Sequence, residues 1–193
     1  SCEDLRLAMN NMGYMNARVV FSTKVRGKKL KAIYTLVPGE PFMIDHFAYD
    51  IQDSVIADIL KPTLSQGINT DRPHQFTVAA LDNERKRITK ILNDQGYYRF
   101  NKDYIYYTAD SIRGSRSVDV TLHLTKYRTT DTATPTLHPR YMIGSVNIIP
   151  GDSTGLHLRR SIIADNTLIE PGKYFSATDL RTTYNNFARL GAI

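Results

Sequence analysis

The chain has 193 residues, 41% of them hydrophobic and 23% charged, a globular composition with room for one ordinary domain or two to three small ones. The net charge is +6 and the pI about 9.4, yet the short basic clusters at 24–31, 85–90 and 159–160 accompany no nucleic-acid motif, so nucleic acid is not expected as a partner. No apolar run approaches the roughly 20 residues that span a bilayer, and no basic-then-apolar leader opens the chain.

Leu5, Ala8, Met9 and Met12 share one helical face, and Gly13 stops that helix. Cys2, the single cysteine, runs straight into it and has no internal partner for a disulfide. Ala17, Val19, Phe21, Thr23 and Val25 then alternate with polar residues. After a turn at 26–29, Leu30, Ala32, Tyr34 and Leu36 alternate back, which predicts a β-hairpin. A short strand is expected at 42–51. Asp53 or Ser54 can cap a helix carrying Val55, Ile56, Ile59 and Leu60, which ends before Pro62.

A polar segment at 63–75 precedes the strongest helix, 78–93, whose apolar stripe is Val78, Leu81, Ile88 and Leu92. Thr77 is its N-cap, Phe76 and Leu81 form a hydrophobic staple, and Gly96 ends it. A second hairpin is expected from a tyrosine-rich arm at 97–108, a turn at 110–117, and an arm in which Val118, Val120, Leu122 and Leu124 alternate with Asp119, Thr121, His123 and Thr125. The Thr- and Pro-rich segment 128–139 reads as an extended linker and candidate hinge.

The order then restarts. Phe42-Met43-Ile44 matches Tyr141-Met142-Ile143, and Phe76-Thr77 matches Phe175-Ser176, both at an offset of 99 residues. Two separated segments sharing one offset indicate a duplicated module. Leu180, Tyr184, Phe187 and Leu190 give the last helix its apolar stripe, with Ser176 and Asp179 as a capping pair. Residues 1–40 fit the back half of a first module, 41–128 a whole one, and 129–193 a linker with the front of a third.

This ordered recurrence of strand opening, aromatic-plus-cap helix entry, and helix exit at Leu92–Tyr98, with echoes at Gly13-Tyr14 and Leu190-Gly191, resembles the polypeptide-transport-associated (POTRA) domain. The resemblance implies an α+β fold of tandem βααββ modules, each a three-stranded mixed sheet covered by two helices. Tandem copies are similar to the surface-antigen family of outer-membrane β-barrel assembly factors. That implies a periplasmic scaffold with no enzymatic activity and no cofactor. Its implied partners are unfolded outer-membrane protein clients, accessory periplasmic lipoproteins and a C-terminal membrane barrel. The arm of a two-partner secretion transporter and a cell-division protein share the module. Contact with an anionic membrane surface is a further possibility raised by the basic charge.

In such a module the strand after the second helix would be a sheet edge, open to an added strand from another polypeptide. Tyr97, Tyr104, Ile105, Tyr106 and Tyr107 would line that edge in the middle copy, and Val19 and Phe21 in the first. Other chemistry is thin. Gly151-Asp152-Ser153-Thr154-Gly155 matches a nucleophile elbow between an expected strand at 146–149 and an expected helix at 156–164. However, the only His after Ser153 is His157, four residues on. The five histidines show no metal-ligand spacing, and His123 is expected to be solvated. Asp82, Glu84, Asp94 and Asp103 read as surface charge.

Overall fold

The computed structural model describes residues 1–68, 71, 73–111, 114–149 and 159–190, which divide into two compact units. The first contains Ser1–Arg87 and Ile105–Thr125; the second contains Ile88–Tyr104 and Lys126–Ile193.

The first unit opens with α1 (Cys2–Asn11), where Ser1 and Asp4 form a capping box that satisfies donors otherwise orphaned at the helix start. Strands β1 (Arg18–Arg26) and β2 (Lys29–Val37) form a two-stranded antiparallel sheet, with Arg18 opposite Val37 and Arg26 opposite Lys29. Gly27 supplies the positive φ of the turn.

Beyond it lie β3 (Met43–Asp50), α2 (Ser54–Leu60), a 3-10 turn (Lys61–Gln66), the two-residue β4 (His74–Gln75) and the start of α3 (Val78–Asn93). Strands β5 (Ile105–Ser111) and β6 (Ser117–Leu124) complete the unit. The second sheet has the order β4-β3-β6-β5, with β3 parallel to β6 and its other pairs antiparallel. The expected three-stranded mixed sheet is therefore present, with β4 added because Met43 and Ile44 also pair with Gln75 and His74.

Ile44, Ile68, Val118 and Val120 form a buried cluster, with Phe42, Phe47, Phe76, Ala80, Leu81 and Tyr107 packed around it. On α2, whose N-cap is Asp53, Ile56 and Leu60 are fully buried. One charge lies deep in this unit. Glu84 is 3% exposed, accepts the Tyr49 hydroxyl at 2.8 Å, and pairs with Arg87 at 2.6 Å. The Glu84 hydrogen bond raises the Arg87 pKa, and burial raises that of the Tyr49 hydroxyl. Glu84 is thus a structural ion-pair partner and not the surface charge expected from sequence.

In the second unit Ile88, Leu92, Tyr97 and Phe100 are buried. The segment at 128–139 is not an extended linker. Tyr127 and Thr136 exchange both backbone hydrogen bonds, at 3.0 and 2.9 Å, and His138 is buried with its ring 4.9 Å from Phe100 and 4.6 Å from Tyr104. Helix α4 (Arg160–Asn166) precedes α5 (Ala177–Arg189), whose N-cap is Ser176. The strand expected at 146–149 is absent among the described residues: β3 is a strand because β6 pairs with it, whereas the 141–149 copy has only a Met142–Tyr174 bridge.

The duplication is visible in the backbone. Gly13 and Gly96 each end a helix with positive φ, +89° and +96°. The Gly13 carbonyl accepts the Phe42 N–H at 2.8 Å, and the Phe42 carbonyl accepts the Phe76 N–H at 2.9 Å. Likewise the Gly96 carbonyl accepts the Tyr141 N–H at 2.7 Å, and the Tyr141 carbonyl accepts the Phe175 N–H at 3.0 Å. The Met43–Gln75 pair reappears as Met142–Tyr174.

Candidate polypeptide-binding edge

Strand β5 lies at one end of its sheet. All seven of its residues pair with β6, from Ile105 opposite Leu124 to Ser111 opposite Val118, without a register shift. No described strand pairs with its other side, so alternate residues turn an N–H and a C=O outward along roughly 20 Å. Natural edges are commonly blunted by proline, lysine or a bulge. This strand, IYYTADS, contains neither residue, its pairing contains no bulge, and its one charged side chain is Asp110, next to its end.

Its two faces differ. Ile105 is buried, and Tyr107 turns inward, donating from its hydroxyl to the Leu81 carbonyl at 2.9 Å. Burial raises the Tyr107 pKa. Tyr106 is 45% exposed on the outer face, stacked on His123 with ring centroids 4.9 Å apart and planes 17° from parallel. His123 is held in turn: Nδ1 lies 3.0 Å from Asp50 and Nε2 lies 2.9 Å from the Thr108 hydroxyl. The expectation of a merely solvated His123 is corrected, because Asp50, Thr108 and Tyr106 enclose it on the polar face.

The tyrosine-rich arm expected at 97–108 becomes a strand only from Ile105 onward. Tyr97 is 2% exposed in the turn after α3, and Tyr104 sits in a 3-10 turn (Lys102–Tyr104) against Phe100 and His138. The structure thus brings Ile105, Tyr106 and Tyr107 together on the edge strand and leaves Tyr97 and Tyr104 off it. Val19 and Phe21 lie on β1, which among the described residues pairs with β2 alone; Phe21 packs against Tyr34 at 5.0 Å.

One possible metal-ligand group escaped the sequence reading. Between Ile44 and His46 the β3–β6 register shifts, so Asp45 is the extra residue of a bulge. A bulge re-aims side chains, and Asp45 and His46 are both exposed beside Asp119 while Ile44 is buried. The ligand atoms of the three residues lie within 4.8 Å of one another. His46 is 3.0 Å from Asp119, whose hydrogen bond raises the imidazole pKa. Ser153 and its flanking glycines lie outside the described residues. Asp94 is also more than surface charge, since it accepts the Thr178 backbone N–H at 2.7 Å.

No protein-family model matches the chain. No curated protein matches it either. Among solved structures it is similar to BamA POTRA3-5 of Haemophilus influenzae, at 12% identity and a TM-score of 0.56, covering 98% of this chain and 68% of that one. It also matches POTRA1-3 of the periplasmic domain of Omp85 from Anabaena, at 12% identity over 98% of this chain and 70% of that one, with a TM-score of 0.30. BamA from Haemophilus ducreyi lacking POTRA domains 1-3 matches at 12% identity and a TM-score of 0.37, over 64% of this chain and 21% of that one. The last two likenesses are too distant to carry an argument. The first establishes the class: this is an α+β protein with the POTRA fold.

Proposed function

We propose that the chain is a polypeptide-binding scaffold from the periplasmic part of an outer-membrane protein, and that it captures unfolded β-barrel precursors by strand addition. The observation that carries this reading is the bulge-free edge of β5, which holds no proline or lysine. An incoming extended chain gains backbone hydrogen bonds there whatever its sequence, and Tyr106 adds aromatic contact. A factor serving many clients needs that indifference to sequence. The edge of β1, with Val19 and Phe21, is a second candidate of the same kind. Accessory lipoproteins and a membrane barrel following these modules are the further partners of this reading. Its module boundaries are 1–40, 41–128 and 129–193. The arm of a secretion transporter or a division protein would use the same edge on other clients.

The test is photocrosslinking to unfolded barrel precursors from a probe at Tyr106, with a probe at Tyr184, an exposed tyrosine on α5, as control. Adducts at 106 well above those at 184 support the edge mechanism. Equal yields at both positions reject it.

A further inference from the structure

The net charge of +6 equals that of a single element. The β1–β2 hairpin, residues 18–37, holds six basic residues (Arg18, Lys24, Arg26, Lys28, Lys29 and Lys31) and no acidic one. The rest of the chain carries 19 basic and 19 acidic residues, so the hairpin accounts for the whole of the net charge.

The strand register concentrates the charge further. Lys24 stands opposite Lys31 and Arg26 opposite Lys29, which sets four cations on one face of the tip with Lys28 in the turn. All five are exposed, and none pairs with a described carboxylate. Like charges directly opposite each other weaken an antiparallel pair. The fold does not require cations there: the strands of the second hairpin, Ile105–Ser111 and Ser117–Leu124, carry no lysine or arginine.

The other face of the same tip is apolar. Val25 stands opposite Leu30, and they are 69% and 66% exposed. Farther down that face, Phe21 packs on Tyr34. A soluble polyanion would use the cations and leave Val25 and Leu30 in water. A lipid surface uses both: phosphates for the cations, and the headgroup–acyl boundary for the apolar pair.

We propose that the tip of the β1–β2 hairpin is a docking element for an anionic membrane surface, with Val25 and Leu30 entering the headgroup layer and the four-cation array held over lipid phosphates. Each basic residue near such a surface raises partitioning about fivefold.

The test is flotation of the full 193-residue chain with vesicles of phosphatidylcholine alone or with 30% phosphatidylglycerol. The native chain should float with the anionic vesicles and not with the neutral ones. Replacing Lys24, Arg26, Lys29 and Lys31 by Gln should lower binding at least twentyfold. The same loss of charge at Lys61, Lys86, Lys126 and Lys173 should lower it less than fivefold. The protein has no tryptophan, so Val25→Trp reports insertion directly: its emission should shift to the blue and be quenched by brominated lipid. Equal flotation with both vesicle types, equal losses in the two quadruple variants, or a Val25→Trp emission that stays water-like on bound vesicles would each overturn the proposal. Displacement from vesicles by a charge-equivalent amount of oligonucleotide or polyglutamate would also overturn it, in favour of a soluble polyanion.

Discussion

The Asp94 carboxylate accepts the backbone N–H of Thr178 at 2.7 Å and the Thr178 hydroxyl at 2.8 Å, so the exit of α3 caps the entry of α5. Ser176 takes the neighbouring donor, the Asp179 N–H, at 3.1 Å. Two orphan donors of one helix start are thereby satisfied from two different segments. Burial works to raise the Asp94 pKa, but the Lys90 ammonium and the Thr178 donors outweigh it and hold the carboxyl below its ordinary value.

Asp94→Ala should therefore cost about 1–2 kcal/mol, the scale of a lost N-cap strengthened by the helix dipole. Chemical denaturation measures it. The sign of the pH dependence follows from a depressed native pKa. The stabilisation is full above the unfolded value near 3.8 and disappears as pH falls through the lower native value. Asp94→Asn should lack that acid-side loss.

Three glycines with positive φ separate backbone conformation from crowding. A Cβ at Gly13 would lie 2.6 Å from the Phe76 carbonyl oxygen, and one at Gly96 would lie 2.9 Å from the Arg140 side chain and 3.1 Å from the Tyr141 carbonyl oxygen. At Gly27 it would meet nothing within 4 Å. Gly27→Ala should cost about 1 kcal/mol, the penalty of positive φ alone. Gly13→Ala and Gly96→Ala should cost roughly 2–5 kcal/mol, because close contact adds to strain. Equal midpoint shifts for all three would contradict this.

Glu84 receives Tyr49 and a bidentate Arg87, and Arg87 also donates to the Thr63 carbonyl at 3.0 Å. Breaking a buried pair strands its partner. Arg87→Leu should cost about 3 kcal/mol. Arg87→Leu combined with Glu84→Leu should cost less than the single change, because no buried carboxylate is then left unpaired. A double-mutant cycle gives the sign.

The His46–Asp119 pair makes a small, solvent-screened contribution with the opposite pH sense. The raised imidazole pKa means its stabilisation is fully present below the unfolded value near 6.5 and is lost as pH rises through the higher native value. The difference in Tm between the native protein and His46→Gln should accordingly shrink from pH 6 to pH 8.

Much of the fold was legible in local pattern. Helix α3 spans Val78–Asn93 as expected, because its Thr77 cap, Phe76 staple and Gly96 stop act within one turn of its ends. The β1–β2 hairpin and strand β6 followed from alternation. Pairing between distant segments was not legible: nothing local in β3 announces a parallel partner some 75 residues away or the bulge at Asp45. The start of β5 was misplaced because tyrosines at 97, 98 and 104 suit a strand as well as a packed turn. Glu84 could have been found, since it stands one and two helical turns before the buried Ile88 and Leu92 on the same stripe.

Backbone hydrogen exchange tests the central claim most directly. With a saturating unfolded peptide from a barrel strand, alternate amides of β5 (Ile105–Ser111), those turned away from β6, should slow by at least tenfold while the β6 amides stay unchanged. A peptide that binds while every β5 amide exchanges at its free rate would contradict capture by strand addition at this edge.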